Sequence, residues 1–188
     1  MTSLVSNMMM NVAEKSSQKS APGTNDIELH PLSSKWTLWA HLPKEPDWLN
    51  ITSYIKIMTL NSVEATIALT KNIPENMTTH CMLFLMRDGI DPRWEDPSNM
   101  TGGCFAYRVG NKHVPQVWRD LTYCLVGNTI SANIPFVRNV NGITVSPKRE
   151  FCIFKIWTKT REVQNPVIVT QAIKNLVPQG CLYKKHGE

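Results

Sequence analysis

Apolar residues along this chain recur with two periods, and the changes from one period to the other mark out its elements. Alternation over 30–42, HPLSSKWTLWAHL, sets Trp36 and Leu38 opposite Trp39 and predicts a first strand. ITSYIKI at 51–57 predicts a second. Asn61 as a side-chain cap, with Glu64 three residues on, opens a short helix whose Val63 and Ile67 share a face until Pro74 ends the pattern. The apolar run CMLFLM at 81–86 suits a strand covered by helices, and GCFAYRV at 103–109 alternates with Phe105, Tyr107 and Val109 on one side. Pro115 fits a helix start, Val117, Trp118, Leu121, Cys124 and Leu125 form its stripe, and Gly127 closes it. Asn141-Gly142 signals a turn, after which 142–148 and 151–159 read as two strands joined near Lys148, Arg149 and Glu150. Asn165-Pro166 opens a last helix with Ile168, Ala172 and Leu176 inward, stopped by Pro178. Strands outnumber helices and connections are short. The expected fold is α+β, an antiparallel sheet with the helices gathered on one face.

Within 151–159 side chains alternate, so Cys152, Phe154 and Ile156 face the helices while Ile153, Lys155, Trp157 and Lys159 face the open side. Trp36, Trp39 and Trp118 are accounted for as core by the strand alternation and the helix stripe. Residues 89–97, GIDPRWEDP, are different: Pro92 and Pro97 exclude a helix or a central strand, so Trp94, Glu95 and Asp96 lie on a loop. Either Trp94 tucks back onto the core with two solvated carboxylates beside it, or it offers a flat surface to a ligand. The lysines around Trp157 are similarly either edge-strand gatekeepers or anion contacts.

With 188 residues the chain suits one domain plus a tail. Residues 1–28, rich in Ser, Asn, Lys and Met, read as a flexible tail, and 29–188 as a single domain. The net charge of +5 favours an anionic ligand held at one place over a chain that coats nucleic acid. Five cysteines form no C-x-x-C pair, and no signal peptide or long apolar span is present, which predicts a reduced, cytoplasmic protein. The five histidines show no metal-ligand spacing, no nucleophile motif occurs, and adjacent Glu95 and Asp96 make a poor acid/base pair; neither a metal, a cofactor nor an enzyme is expected.

A tryptophan beside carboxylates and a tryptophan beside lysines together suit a flat ligand with a donor-rich edge and an anionic tail. Guanine nucleotides have that form: Glu95 accepts from N1–H and the N2 amino group while Lys148, Arg149 or Lys155 neutralises phosphate. A methylated, cationic guanine gains most, since cation–π attraction in a desolvated slot adds up to about 2 kcal/mol to stacking. A carbohydrate-binding module with a tryptophan platform is the alternative from another class, and the basic residues argue against it.

The chain resembles the eukaryotic translation initiation factor 4E family of messenger-RNA cap-binding proteins. The resemblance spans about 30–178 and rests on HPLSSKWTLW at 30–39, SVEATIAL at 62–69, DGIDPRWEDPSNMTGG at 88–103, VWRDLTYCLVG at 117–127 and IWT at 156–158. It implies a curved antiparallel sheet backed by three helices, with 7-methylguanosine bound on the concave face: Trp94 as one wall, Trp48 as the other, Trp157 near the N7-methyl group and Glu95 on the Watson–Crick edge. It implies phosphate contacts at Lys148, with Glu150 and Ile153 standing where the family has lysines and Arg149 and Lys155 as substitutes. On the opposite, helical face it implies a peptide from the scaffold factor 4G or a repressor, held by His30, Pro31, Leu32, Val63, Ile67, Trp118 and Arg119. Ile67 and Arg119 replace a family tryptophan and leucine, so weaker scaffold binding is expected. The role implied is translation initiation, or repression or storage of messages if the helical face serves other partners.

Overall fold

The computed structural model describes residues 29–41 and 45–187; the N-terminal tail expected over 1–28 lies outside them. Seven strands form one curved antiparallel sheet in the order β2-β1-β3-β5-β6-β4-β7. They are β1 Pro31–His41, β2 Tyr54–Ser62, β3 Met82–Arg87, β4 Gly103–Gly110, β5 Val140–Pro147, β6 Phe151–Thr158 and β7 Leu182–Lys185. Four helices are described: α1 Val63–Asn72, α2 Glu75–His80, α3 Val114–Val126 and α4 Ile134–Asn139.

Alternation decides which face each strand buries. Trp36, Leu38 and Ala40 of β1, Phe105, Tyr107 and Val109 of β4, and Cys152, Phe154 and Ile156 of β6 join Val117, Trp118 and Leu121 of α3 in the main core. The opposite face carries a smaller apolar cluster of Tyr54, Phe84, Met86 and Trp157, with Trp39 packed against it. Trp39 therefore belongs to the second face and not to the core shared by Trp36 and Trp118.

Several elements depart from the pattern-based expectation. The segment at 51–57 opens as a 3₁₀ turn, Ile51–Ser53, capped by Asn50, and the strand runs from Tyr54 to Ser62. Ser62, not Asn61, caps α1: its hydroxyl accepts from the Ala65 amide at 3.1 Å. Asn141-Gly142 is no turn but part of β5, where a register shift between Val140 and Gly142 makes Asn141 the extra residue of a bulge. Gly142 is required there because a Cβ would stand 2.5 Å from the Leu85 carbonyl oxygen. The helix expected over 165–178 reduces to a 3₁₀ turn, Pro166–Ile168. The β-branched run after Pro166 favours extended backbone, the Thr170 amide is taken by the Ile130 carbonyl at 2.8 Å, and Asn175 adopts φ 69°. Val169, Ile173 and Leu176 still reach the core from this irregular segment.

Candidate functional site

The sheet face away from the helices gathers aromatic side chains from β1, β2, β3 and β6 and from two loops. The first loop, between β1 and β2, carries Trp48; the second, between β3 and β4, carries Trp94 and Glu95.

The second loop is fixed from within. Asp96 turns inward, its carboxylate accepting from the Asp91 amide at 2.9 Å and the Ser98 amide at 2.7 Å. Buried Asn99 donates to the carbonyls of Asp91 and Arg93 at 3.1 and 2.7 Å, and the bulged Asn141 donates to the Ser98 carbonyl at 2.7 Å. Asp96 is thus spent on the loop itself. Glu95 makes no hydrogen bond or ion pair with another described residue. Its charge is felt on two sides: burial and then the Glu95 carboxylate push the Tyr54 phenol up to about 12, and the same carboxylate acts on His186.

The two loops are tied together at the residues beside their tryptophans. Arg93, held by Asp91 at 2.6 Å, also donates to the Leu49 carbonyl. The Tyr54 hydroxyl donates to the Trp48 carbonyl at 3.0 Å. Trp94 stays 46% exposed and Trp48 45% exposed, an unusual state for two rings on anchored loops. Trp48 stacks on His41 with 3.7 Å between ring centroids and 9° between planes. The Trp94 ring lies against Gly187, its Cζ3 3.6 Å from where a Cβ on that residue would stand.

Trp157 is on the expected face but not open. It is only 5% exposed, with Phe84 edge-on at 6.4 Å and the His186 ring tilted against it at 4.8 Å. Its indole N–H donates to the Thr144 hydroxyl at 2.8 Å. The covering residue comes from the end of β7, a strand with no signal in the hydropathy pattern. His186 is itself buried and locked: its ring bonds the Asn99 carbonyl at 2.7 Å, which places the proton on Nδ1, and its backbone bonds Gly102 and Arg161. Burial first, then the Lys155 and Arg161 cations, hold its pKa below the usual histidine value, against the Asn99 bond and Glu95.

The basic residues separate into two groups. Lys148 and Arg149 sit fully outward in the β5–β6 turn, where Arg149 faces Glu150 at 3.7 Å. Lys155 lies four residues along β6 from Phe151, about 13 Å of strand, with its ammonium 6.0 Å from the Trp157 ring centroid. Sequence reading missed Lys184 of β7, which pairs with Cys104 in the register that also pairs Cys104 with Trp157. Lys155 and Lys184 both act on the Cys104 thiol, although burial pushes that thiol up overall. The two ammoniums therefore flank the strand next to Trp157, and neither has a hydrogen bond or ion pair to a described residue.

On the helical face, His30 clasps the start of α1: its amide and ring bond the Glu64 carboxylate at 3.1 and 2.7 Å, and its carbonyl accepts from the Val63 amide at 2.9 Å. Pro31, Val63 and Ile67 are exposed, and Leu32 is half-buried against the core. Trp118 is buried in the core and also lines a groove with Thr70, Ile73, Pro115 and Arg119. Arg119 points along its own helix to Gln116. Among the described residues no group of three or more His, Cys, Asp or Glu could hold a metal ion, and no helix is long and apolar enough to cross a membrane.

The model of one protein family, described as eukaryotic initiation factor 4E, matches residues 31–187. Similar proteins include eukaryotic translation initiation factor 4E-1 of Schizosaccharomyces pombe, 29% identical over 70% of this chain and 61% of that protein. Eukaryotic translation initiation factor 4E of Saccharomyces cerevisiae is 27% identical over 71% of this chain and 63% of that protein, so the match spans under two thirds of either relative's own length. Among solved structures, Ascaris suum eIF4E-3 with an m7G cap superposes with a TM-score of 0.62 at 22% identity, covering 72% of this chain and 76% of that one. Schistosome eIF4E complexed with m7GpppG and 4E-BP gives 0.63 at 24% identity, covering 71% and 74%. These superpositions establish the α+β fold.

Proposed function

Because this chain belongs to the eukaryotic initiation factor 4E family, we propose that it is a non-catalytic, cytoplasmic factor that binds the 7-methylguanosine 5′ cap of messenger RNA in translation initiation. One observation carries the reading: Trp48 and Trp94 are held half-exposed on loops joined through Arg93 and the Leu49 carbonyl, with Glu95, which bonds no described residue, next to Trp94. The methylated purine enters between the two indoles, where each stack contributes about 1–3 kcal/mol. Its positive charge adds cation–π attraction that an unmethylated guanine lacks. Glu95 accepts from N1–H and N2–H as a charge-assisted pair. Trp157, packed beneath His186, forms floor and not wall. Lys155 and Lys184 are better placed than Lys148 and Arg149 to meet the first phosphates.

The domain carrying this activity extends from about residue 29. A scaffold or repressor helix docks on the opposite face along His30, Pro31, Leu32, Val63 and Ile67. Ile67 and Arg119, standing where the family has a tryptophan and a leucine, weaken the grip on the usual scaffold peptide, which keeps a repressing or storage role as the second reading.

Titration with 7-methyl-GTP and GTP tests the main reading. The methylated nucleotide is expected to bind at least about tenfold better, or roughly 1.4 kcal/mol. Equal affinities overturn it.

A further inference from the structure

His41 is the unexplained side chain of this face. It is 0% exposed, and neither of its ring nitrogens has a hydrogen-bond partner among the described residues. Buried polar atoms left unpaired are costly and rare, and a phenyl ring of similar width would avoid the cost. What the ring does have is two aromatic contacts, face to face with Trp48 at 3.7 Å and edge-on to Tyr54 at 4.8 Å.

Trp48 needs such a contact. Residues 45–50 contain no helix or strand, and their side chains are exposed. The backbone is pinned by Tyr54 at the Trp48 carbonyl, by Arg93 at the Leu49 carbonyl, and by Asp47, which accepts from the Leu49 and Asn50 amides at 3.1 Å each. None of these bonds sets the indole plane. His41 does, because a stack with 9° between planes covers one face of the indole and fixes its tilt, while Trp48 stays 45% exposed.

We propose that His41 is a positioning residue for ligand capture: a buried back-plate that presents the free face of Trp48 before the ligand arrives, so that a bound purine extends a stack already begun by His41 and Trp48. This inference rests on the cap-binding reading. The advantage lies in preorganisation, since the rotamer freedom of Trp48 is lost on folding and not on binding. His41 touches no ligand, and its effect passes entirely through Trp48.

The test is fluorescence titration of the full chain with 7-methyl-GTP, comparing wild type, His41→Phe, His41→Leu, Trp48→Ala and the His41→Leu/Trp48→Ala double variant, with thermal unfolding of each. Phe keeps a flat plate and is expected to bind within about twofold of wild type, whereas Leu keeps volume without a plate and is expected to lose about three- to tenfold. Trp48→Ala loses at least as much, and His41→Leu costs nothing further in its background. The proposal is overturned by a His41→Leu affinity within twofold of wild type, by a loss that persists without Trp48, or by a folded His41→Phe protein that binds more than twofold worse. If His41→Leu does not fold, His41→Met, another side chain without a flat plate, takes its place with the same expected loss and the same overturning results. Wild type that fails to bind 7-methyl-GTP sinks the cap-binding reading and this inference with it; wild type that binds while His41→Leu is unaffected sinks the inference alone.

Discussion

The two faces of the sheet are built in opposite ways. On the face away from the helices, the loops that carry Trp48, Trp94 and Glu95 are held by a dense set of bonds among Arg93, Asp96, Asn99, Asn141 and Tyr54. On the helical side His30 and Glu64 clasp the start of α1, Ile67 is exposed on that helix, and Arg119 lines a groove between α1 and α3. Rigid loops around exposed rings are what stacking requires, because ordering costs are met on folding. An exposed helix face, by contrast, can change its side chains one at a time without disturbing the core.

The strongest way to break this contrast is Trp94→Ala, which is expected to cut 7-methyl-GTP affinity about 5- to 150-fold, from the 1–3 kcal/mol of one stack, with an unchanged unfolding midpoint. A variant that fails to fold would instead make Trp94 a structural residue. Glu95→Gln is expected to cost about tenfold or more by calorimetry, since a charge-assisted pair becomes neutral; retained affinity would remove Glu95 from the site.

Arg119→Leu probes the other face. It is expected to tighten a helix-forming 4G-type peptide about five- to tenfold while leaving nucleotide affinity untouched, because an apolar anchor position is restored. No gain would mean that Arg119 is not what weakens the groove. A smaller effect separates the basic groups: Lys155→Ala and Lys184→Ala should each lower the log–log salt slope of nucleotide binding by about 1, and Lys148→Ala and Arg149→Ala should not. The reverse pattern would return the phosphates to the hairpin turn.

Acid sharpens the comparison most gently. His186 is held below its ordinary value of 6.5, so its stabilising contribution is complete above that value and is lost as pH falls through the lowered one. Glu64, lowered chiefly by its bond to His30, contributes above 4.5 and loses that contribution only at lower pH. Unfolding midpoints followed from pH 7 downward should therefore fall first on account of the ligand face, and His186→Asn should flatten that first decline. An unchanged decline would show that His186 is not the group titrating.

Much of the candidate site's layout was legible because its signals are local. Two prolines force the Trp94 loop, and alternation in β6 puts Lys155 and Trp157 on the face away from the helices. Trp157 was nevertheless expected to be open, since nothing in the pattern revealed β7 or the His186 that follows it. Lys184 escaped notice for the same reason. The apparent helix at 165–178 failed because its apolar spacing fits a helix while its β-branched residues and long-range bonds do not. Asn141-Gly142 has turn composition, but its bulge and its bond to the Ser98 carbonyl exist only once β3, β5 and β6 pair.

The amino-acid sequence by itself determined which residues point away from the helical core and which must lie on loops, because a two-residue period and a proline act within a few ångströms. Tertiary structure alone decided that His41 backs Trp48, that His186 covers Trp157 and that Arg93 joins the two loops. Those contacts link residues on different strands and loops, and only the register and order of seven paired strands bring them to stacking or hydrogen-bond distance.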